Sequence, residues 1–270
     1  MPLITFTSDF GLNDVYVGVV HGVIAGIAPH AHIVDLTHGI PSQDVRAGAL
    51  ALYAGCSLFP PGTIHLAVVD PGVGTLRRAL LLRTTAFWYI GPDNGLFTLA
   101  APTETLLGCW ELTNREYHLP TLSATFHGRD LFAPVAAHLA NGVRPEELGT
   151  PASMLLALPD LALHAIGRGQ TSGTVLTVDH FGNMVTNLQA SELWREGLTQ
   201  RRVTAWLGDL PLRPVRTYGQ GRMTIASTHP APDLLLLAGS AGLLEVAVAN
   251  GDAARTTGLG VGAPVRVVVD

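Results

Sequence analysis

The chain has 270 residues, a formal net charge of -5 and two cysteines, Cys56 and Cys109, so it can bury a sizeable core and cannot build a multi-bridge disulfide framework. All sixteen permanently cationic side chains are arginine, and the absence of lysine excludes Schiff-base chemistry and the phosphate-loop lysine. The acidic balance and the lack of an Arg-dense run argue against a nucleic-acid groove, while the absence of a charged leader and of a bilayer-length apolar run points to a cytoplasmic protein with no membrane contact, acting on a small molecule. A charged fraction of 14% beside 47% hydrophobic residues fits a chain that hides further surface in an oligomer.

Residues 3–7 read as a strand that runs into the turn Ser8-Asp9-Phe10-Gly11. Asn13 or Asp14 is placed to cap a helix whose apolar positions Val15, Val19, Val23 and Ile27 recur at helical spacing, and Pro29 ends it. Residues 33–36 form a second strand and 43–53 a second helix. Residues 65–69 are a continuous apolar run ending at Asp70, the pattern of a buried parallel strand whose carboxyl end opens into a ligand site. Asp9 and Asp70 therefore stand at the same edge of one sheet. Strand-like runs at 79–83 and 87–90 lead to the loop 91–95, and the His127 loop precedes a helix at 131–139. Beyond the turn-rich stretch 157–170 the pattern changes to short β runs at 173–178, 202–207, 222–226, 233–237, 243–248 and 265–269. The expected fold is an α/β N-terminal domain over 1–165 with a central, mostly parallel sheet, followed by a smaller antiparallel β-barrel-like domain over 170–270.

Some familiar strings are decoys. Asp9-Phe10-Gly11 matches a kinase metal-binding tripeptide but has no Gly-rich loop or lysine before it. Residues 238–242 resemble a nucleophile elbow but carry Ala238 where the first glycine belongs, and the histidines include no H-E-x-x-H and no zinc spacing, so no metal is expected. Two loops carry the chemistry: Asp70-Pro71-Gly72-Val73-Gly74-Thr75-Leu76-Arg77-Arg78 and Phe126-His127-Gly128-Arg129-Asp130. A single histidine is more often a satisfied structural group, and an Asp seven residues before an Arg is often a loop-bracing ion pair. Together, a carboxylate, a guanidinium and an imidazole form a set that can position and deprotonate a water.

Those two loops, with residues 7–14, 33–38, 44–49, 91–96, 179–183 and 240–250, occur in an order that resembles the S-adenosylmethionine hydroxide adenosyltransferase family, relatives of the fluorinating and chlorinating enzymes that use the same substrate. The resemblance spans essentially the whole chain. It implies an α/β domain, a β-barrel-like domain and a homotrimer with active sites between subunits. It also implies hydrolysis of S-adenosyl-L-methionine to adenosine and L-methionine, with no cofactor. The family's catalytic Asp-Arg-His set maps onto Asp70, Arg77 and His127. Its ribose-diol carboxylate maps onto Asp9 and its adenine-stacking aromatic onto Tyr218. The methionine end falls to Asp14, Asp179 and Ser240, with Asn183, Glu245 and the backbone near Val248 closing on the adenosine.

The halogenating relatives have Tyr at the position of Asp70, and the fluorinating ones have Ser at Gly128 and an arginine at Ala241. A carboxylate beside the nucleophile repels halide and can accept a proton from water, which favours hydrolysis. A 5′-halogenase and a non-catalytic S-adenosylmethionine or adenosine sensor are the alternatives. Intact Asp70, Arg77 and His127 count against the sensor.

Overall fold

In the computed structural model, which describes residues 1–153, 155–190, 203–221 and 233–270, strand β1 (Leu3–Ser8) lies between parallel neighbours β2 (His32–Thr37) and β3 (Ile64–Val68). With β4 (Ala79–Thr84), β5 (Trp88–Pro92), β6 (Leu106–Glu111) and β7 (Thr150–Pro151) they form one sheet in the order β2-β1-β3-β5-β4-β6-β7. The β2-β1-β3-β5 half is parallel and the rest antiparallel, so the sheet is mixed.

Helices cover both faces of this sheet. Helix α1 (Tyr16–Ile27) and, later in the chain, α3 (Ala133–Ala140) pack with Ile64, Leu66 and Val68 of β3 in one apolar cluster. Helix α2 (Val45–Gly55) packs with Ala67 and Val69 in the other. Two covered faces explain why every residue of β3 is buried and why its sequence is apolar but for His65, whose Nδ1 lies 2.7 Å from Thr5 Oγ1. A short helix, α4 (Pro145–Leu148), precedes β7. The pairing of Ser8 with Val68 sets the ends of β1 and β3 level, so Asp9 and Asp70 do leave the sheet at one edge.

Two details of α1 differ from the sequence reading. Neither Asn13 nor Asp14 caps it: Val15 is the N-cap residue, already in a helical conformation, with no side-chain bond to the helix. The buried stripe is Val17, Val20 and Ile24, while Val15 is 72% exposed. A helix rich in valine on several sides leaves its inward face ambiguous by spacing alone.

The chain divides into two units, Met1–Pro159 and Asp160–Asp270. In the second unit the strands are β8 (His164–Ala165), β9 (Gly169–Val178), β10 (Met184–Gln189), β11 (Val203–Leu207), β12 (Leu210–Pro214), β13 (Leu234–Ala238), β14 (Leu243–Val248) and β15 (Pro264–Val269). The order β14-β13-β12-β11-β15-β9-β10, with β10 pairing back onto β14, closes a seven-stranded barrel to which β8 is appended. Val265, Val267 and Val269 point into its core while Pro264 and Arg266 face out, the period-two alternation of a strand with one covered side. A short helix, α5 (Ala253–Thr257), is capped by Asp252, which accepts from Arg255 N–H at 2.7 Å. The run expected at 222–226 lies outside the described residues.

Candidate active site

The loop after β3 curls back on itself. Val73 N–H donates to the Asp70 carbonyl at 3.2 Å, and the N–H and hydroxyl of Thr75 both donate to the Gly72 carbonyl, at 3.1 and 2.7 Å. These turns return Arg77 to Asp70. The guanidinium binds the carboxylate through Nε at 2.9 Å from Oδ1 and 3.0 Å from Oδ2, with a further short contact from Nη2 to Oδ2. Both side chains are largely buried, 10% and 5% exposed, and the guanidinium lies 5.2 Å from the centre of the Phe132 ring. Gly74 is required here: its φ is +77°, and a Cβ would collide with the backbone carbonyl of Ala124, so the Arg77 loop rests directly on the loop leading to His127.

His127 sits at the entry of a single π-helical turn, Gly128–Phe132, that runs into α3. Such turns widen the helix at its start and recur at functional sites. Arg77 Nη2 lies 2.8 Å from His127 Nδ1. A guanidinium only donates, so Nδ1 accepts, and the proton of the neutral ring is on Nε2. Burial, reinforced by the Arg77 charge and opposed by Asp70 and Asp130, pulls the His127 pKa below its ordinary value, so the ring is neutral near pH 7. Asp70, Arg77 and His127 thus form one contiguous hydrogen-bonded row.

Asp9 follows β1, and its Oδ2 accepts the backbone N–H of Gln43 at 2.7 Å. The neighbouring Phe10 packs edge-on against Phe126, with centroids 5.7 Å apart, and a Cβ at Gly128 would come within 3.1 Å of the Phe10 ring. Aromatic packing therefore joins the Asp9 turn to the His127 turn. Asp14 lies exposed in the bend before α1.

The remaining six expected residues lie in the second unit. Asp179, Asn183, Tyr218, Ser240, Glu245 and Val248 all line a single cavity of about 770 Å³. Asp179 is braced by its own loop: Oδ1 accepts the N–H groups of Phe181 and Asn183, each at 2.8 Å, and Oδ2 accepts Asn183 Nδ2 at 2.9 Å. Tyr218 donates its hydroxyl to Glu245 Oε2 at 2.7 Å. Burial and the nearby Asp179 raise the Glu245 pKa against the opposing bond from Tyr218, and burial with the Glu245 carboxylate pushes the phenol up. Phe181, Asn250 and Asp252 also line the cavity without having been singled out in the sequence. The first two fall inside the family-like strings 179–183 and 240–250, the only sequence signal that marks them.

Residues 4–149 match the model of the SAM hydroxide adenosyltransferase N-terminal domain, and residues 173–266 match that of its C-terminal domain. The chain belongs to the SAM hydroxide adenosyltransferase family. It is 45% identical to the (R)-S-adenosyl-L-methionine hydrolase of Thermus thermophilus, with 99% of this chain and 100% of that protein covered. It is 42% identical to the enzyme of that name from Salinispora arenicola, over 98% and 97%. A fluorinase from an Actinoplanes species is more distant, at 29% identity over 79% and 82%. A crystal structure of an uncharacterized conserved protein from Thermotoga maritima superposes with a TM-score of 0.85 at 33% identity, covering 98% of this chain and 99% of that one. The family match thus runs through both units of this chain. Among the described residues no helix is long and apolar enough to cross a membrane, and no three His, Cys, Asp or Glu side chains group as metal ligands.

Proposed function

We propose that the protein is a cytoplasmic S-adenosyl-L-methionine hydrolase that forms adenosine and L-methionine by displacement at C5′, with Asp70, Arg77 and His127 handling the water. The full-length similarity to (R)-S-adenosyl-L-methionine hydrolases supports the reaction. The observation that carries the assignment of roles is the Asp70–Arg77–His127 row itself.

Displacement of a sulfonium by hydroxide joins an anion to a cation, so charge is annihilated on the way to the transition state and a dry, fixed site favours it. Water, with a pKa of about 15.7, is a poor nucleophile and must lose a proton as the C–O bond forms. His127 Nδ1 is already occupied by Arg77, which leaves its Nε2–H to donate to the attacking oxygen and orient it. Asp70, held by Arg77, is then the group with free lone pairs to take the proton. The oxygen becomes a strong acid once bonded to carbon, so a carboxylate suffices as acceptor. The thioether leaves neutral and needs no acid, and the reaction asks for no cofactor.

Asp9 grips the ribose diol in this reading, aligning oxygen, C5′ and sulfur. The second-unit cavity takes the rest of the substrate: Tyr218 stacks on adenine, Asn183, Glu245 and the Val248 backbone close on the adenosine, and Asp179 and Ser240, with Asp14, meet the methionine end. We further propose a homotrimer in which the two halves of each site come from neighbouring subunits, as the family resemblance implies. Purified protein incubated with S-adenosyl-L-methionine should yield adenosine and methionine by mass spectrometry. Molar chloride should add no 5′-chloro-5′-deoxyadenosine, because Asp70 puts negative charge beside the nucleophile; the chlorinated product would replace this reading with a halogenase.

A further inference from the structure

The string 33–38 supplies none of the site residues named above, yet it ends in a buried histidine beside the Asp9 turn. His38 is 4% exposed and Ser8 fully buried. Its Nδ1 lies 2.7 Å from Ser8 Oγ, its backbone carbonyl accepts Gly11 N–H at 2.9 Å, and its ring packs edge-on against Phe6 with centroids 4.6 Å apart. Behind it, Nε2 stands 3.0 Å from Asp35 Oδ1, off the ideal hydrogen-bond line but within ion-pair reach, and the same oxygen lies 2.8 Å from His21 Nε2. A carboxylate cannot donate, so the His38 nitrogen facing it carries the proton and Nδ1 accepts from the Ser8 hydroxyl. The direction of the chain is thereby set: Phe10 N–H donates to Ser8 Oγ at 3.3 Å, and Ser8 donates to His38.

This geometry encloses one residue. The Ser8 hydroxyl and the Phe10 N–H close a tight turn around Asp9, and His38 grips both ends of the segment, Ser8 through its side chain and Gly11 through its carbonyl. A third tie comes from the same side: Gln43, in the left-handed region at φ 66°, gives its N–H to Asp9 Oδ2. A non-glycine residue held there is strained, and such strain concentrates at functional sites. Among the described residues Asp9 Oδ1 is left without a partner.

We propose that His38 is a positioning residue for substrate binding: it fixes the turn that aims Asp9, with Asp35 and His21 steadying its ring, and so sets the preference for a ribose with free 2′- and 3′-hydroxyls. The proposal rests on Asp9 as the ribose-diol carboxylate. Hydrogen bonds from two hydroxyls to a carboxylate should give the wild-type protein a preference of about a hundredfold to ten-thousandfold for adenosine over 2′,3′-dideoxyadenosine.

Calorimetric titration of the full chain with both nucleosides tests it, in wild type, Asp9→Ala, His38→Ala and Ser8→Ala. Asp9→Ala should erase the preference. His38→Ala and Ser8→Ala should each remove most of it while leaving 2′,3′-dideoxyadenosine affinity within about twofold of wild type. Ser8→Ala, the smaller change, carries the test if His38→Ala does not fold. A full preference in folded Ser8→Ala overturns the proposal, as does an equal loss of affinity for both nucleosides, which marks a merely structural role. If Asp9→Ala keeps the preference, the assignment of the diol to Asp9 fails first and the role of His38 falls with it.

Discussion

Arg77 makes two connections at once, a forked bond to Asp70 and a single bond to His127 Nδ1, and the second decides which proton the histidine can offer. Asp70→Asn, Arg77→Ala and His127→Ala should each lower turnover by about 10²–10⁴ while adenosine affinity changes little, because their work lies in the water and its proton. Parallel kinetics and adenosine titrations check this, and a matching loss of affinity in all three would mean the roles are misassigned. The pH dependence follows from the same contact. Protonated His127 has hydrogen on both nitrogens, which sets Nδ1–H against the guanidinium and breaks the row. Its pKa is lowered by burial and by Arg77, so activity is held through neutral pH and lost on acidification, with the midpoint below about 6.5. An acid limb above that value would contradict a neutral His127 that accepts from Arg77 at Nδ1 and donates through Nε2.

At the scale of elements, the site depends on two loops meeting at Gly74 and Ala124. Gly74→Ala asks a non-glycine residue to hold φ +77° and drives a Cβ into a carbonyl, so the loops must part; we expect a loss of about 1–3 kcal/mol in stability. Turnover should fall with it, since Arg77 moves with the loop. A melting temperature and activity equal to wild type would show that the contact is dispensable. The strands that carry these loops are legible in the sequence for a physical reason: β3 is covered on both faces and β14 and β15 line a barrel core, so burial writes itself as apolar runs or strict alternation. Other strands hide. β12 contains Pro211 and Pro214, β10 carries the buried Asn187, and β6 is interrupted by Gly108. The site is legible in two different ways. Asp70 and Arg77 can be paired from a seven-residue spacing in a Gly-rich loop, whereas Tyr218 and Glu245 are 27 positions apart and only the family resemblance joins them. The grip of His38 on the Asp9 turn leaves no spacing signature, because it is made through one carbonyl and one imidazole across parallel strands.

For the whole molecule, the proposed division of each site between subunits makes assembly a condition of activity. Inactive His127→Ala and inactive Asn183→Ala chains, refolded together in equal amounts, should recover activity at roughly a quarter of the sites, where an intact N-terminal half meets an intact C-terminal half from its neighbour. Mixed trimers verified by native mass spectrometry that stay inactive would contradict the shared site and leave the chemistry standing. The chemistry itself is the central claim, and one isotope experiment addresses it. When the wild-type enzyme turns over S-adenosyl-L-methionine in ¹⁸O-water, water-derived oxygen replaces sulfur at C5′, so the adenosine should carry a single ¹⁸O at the 5′-hydroxyl and the methionine none. Unlabelled adenosine, or methylthioadenosine in its place, would contradict displacement by water at C5′.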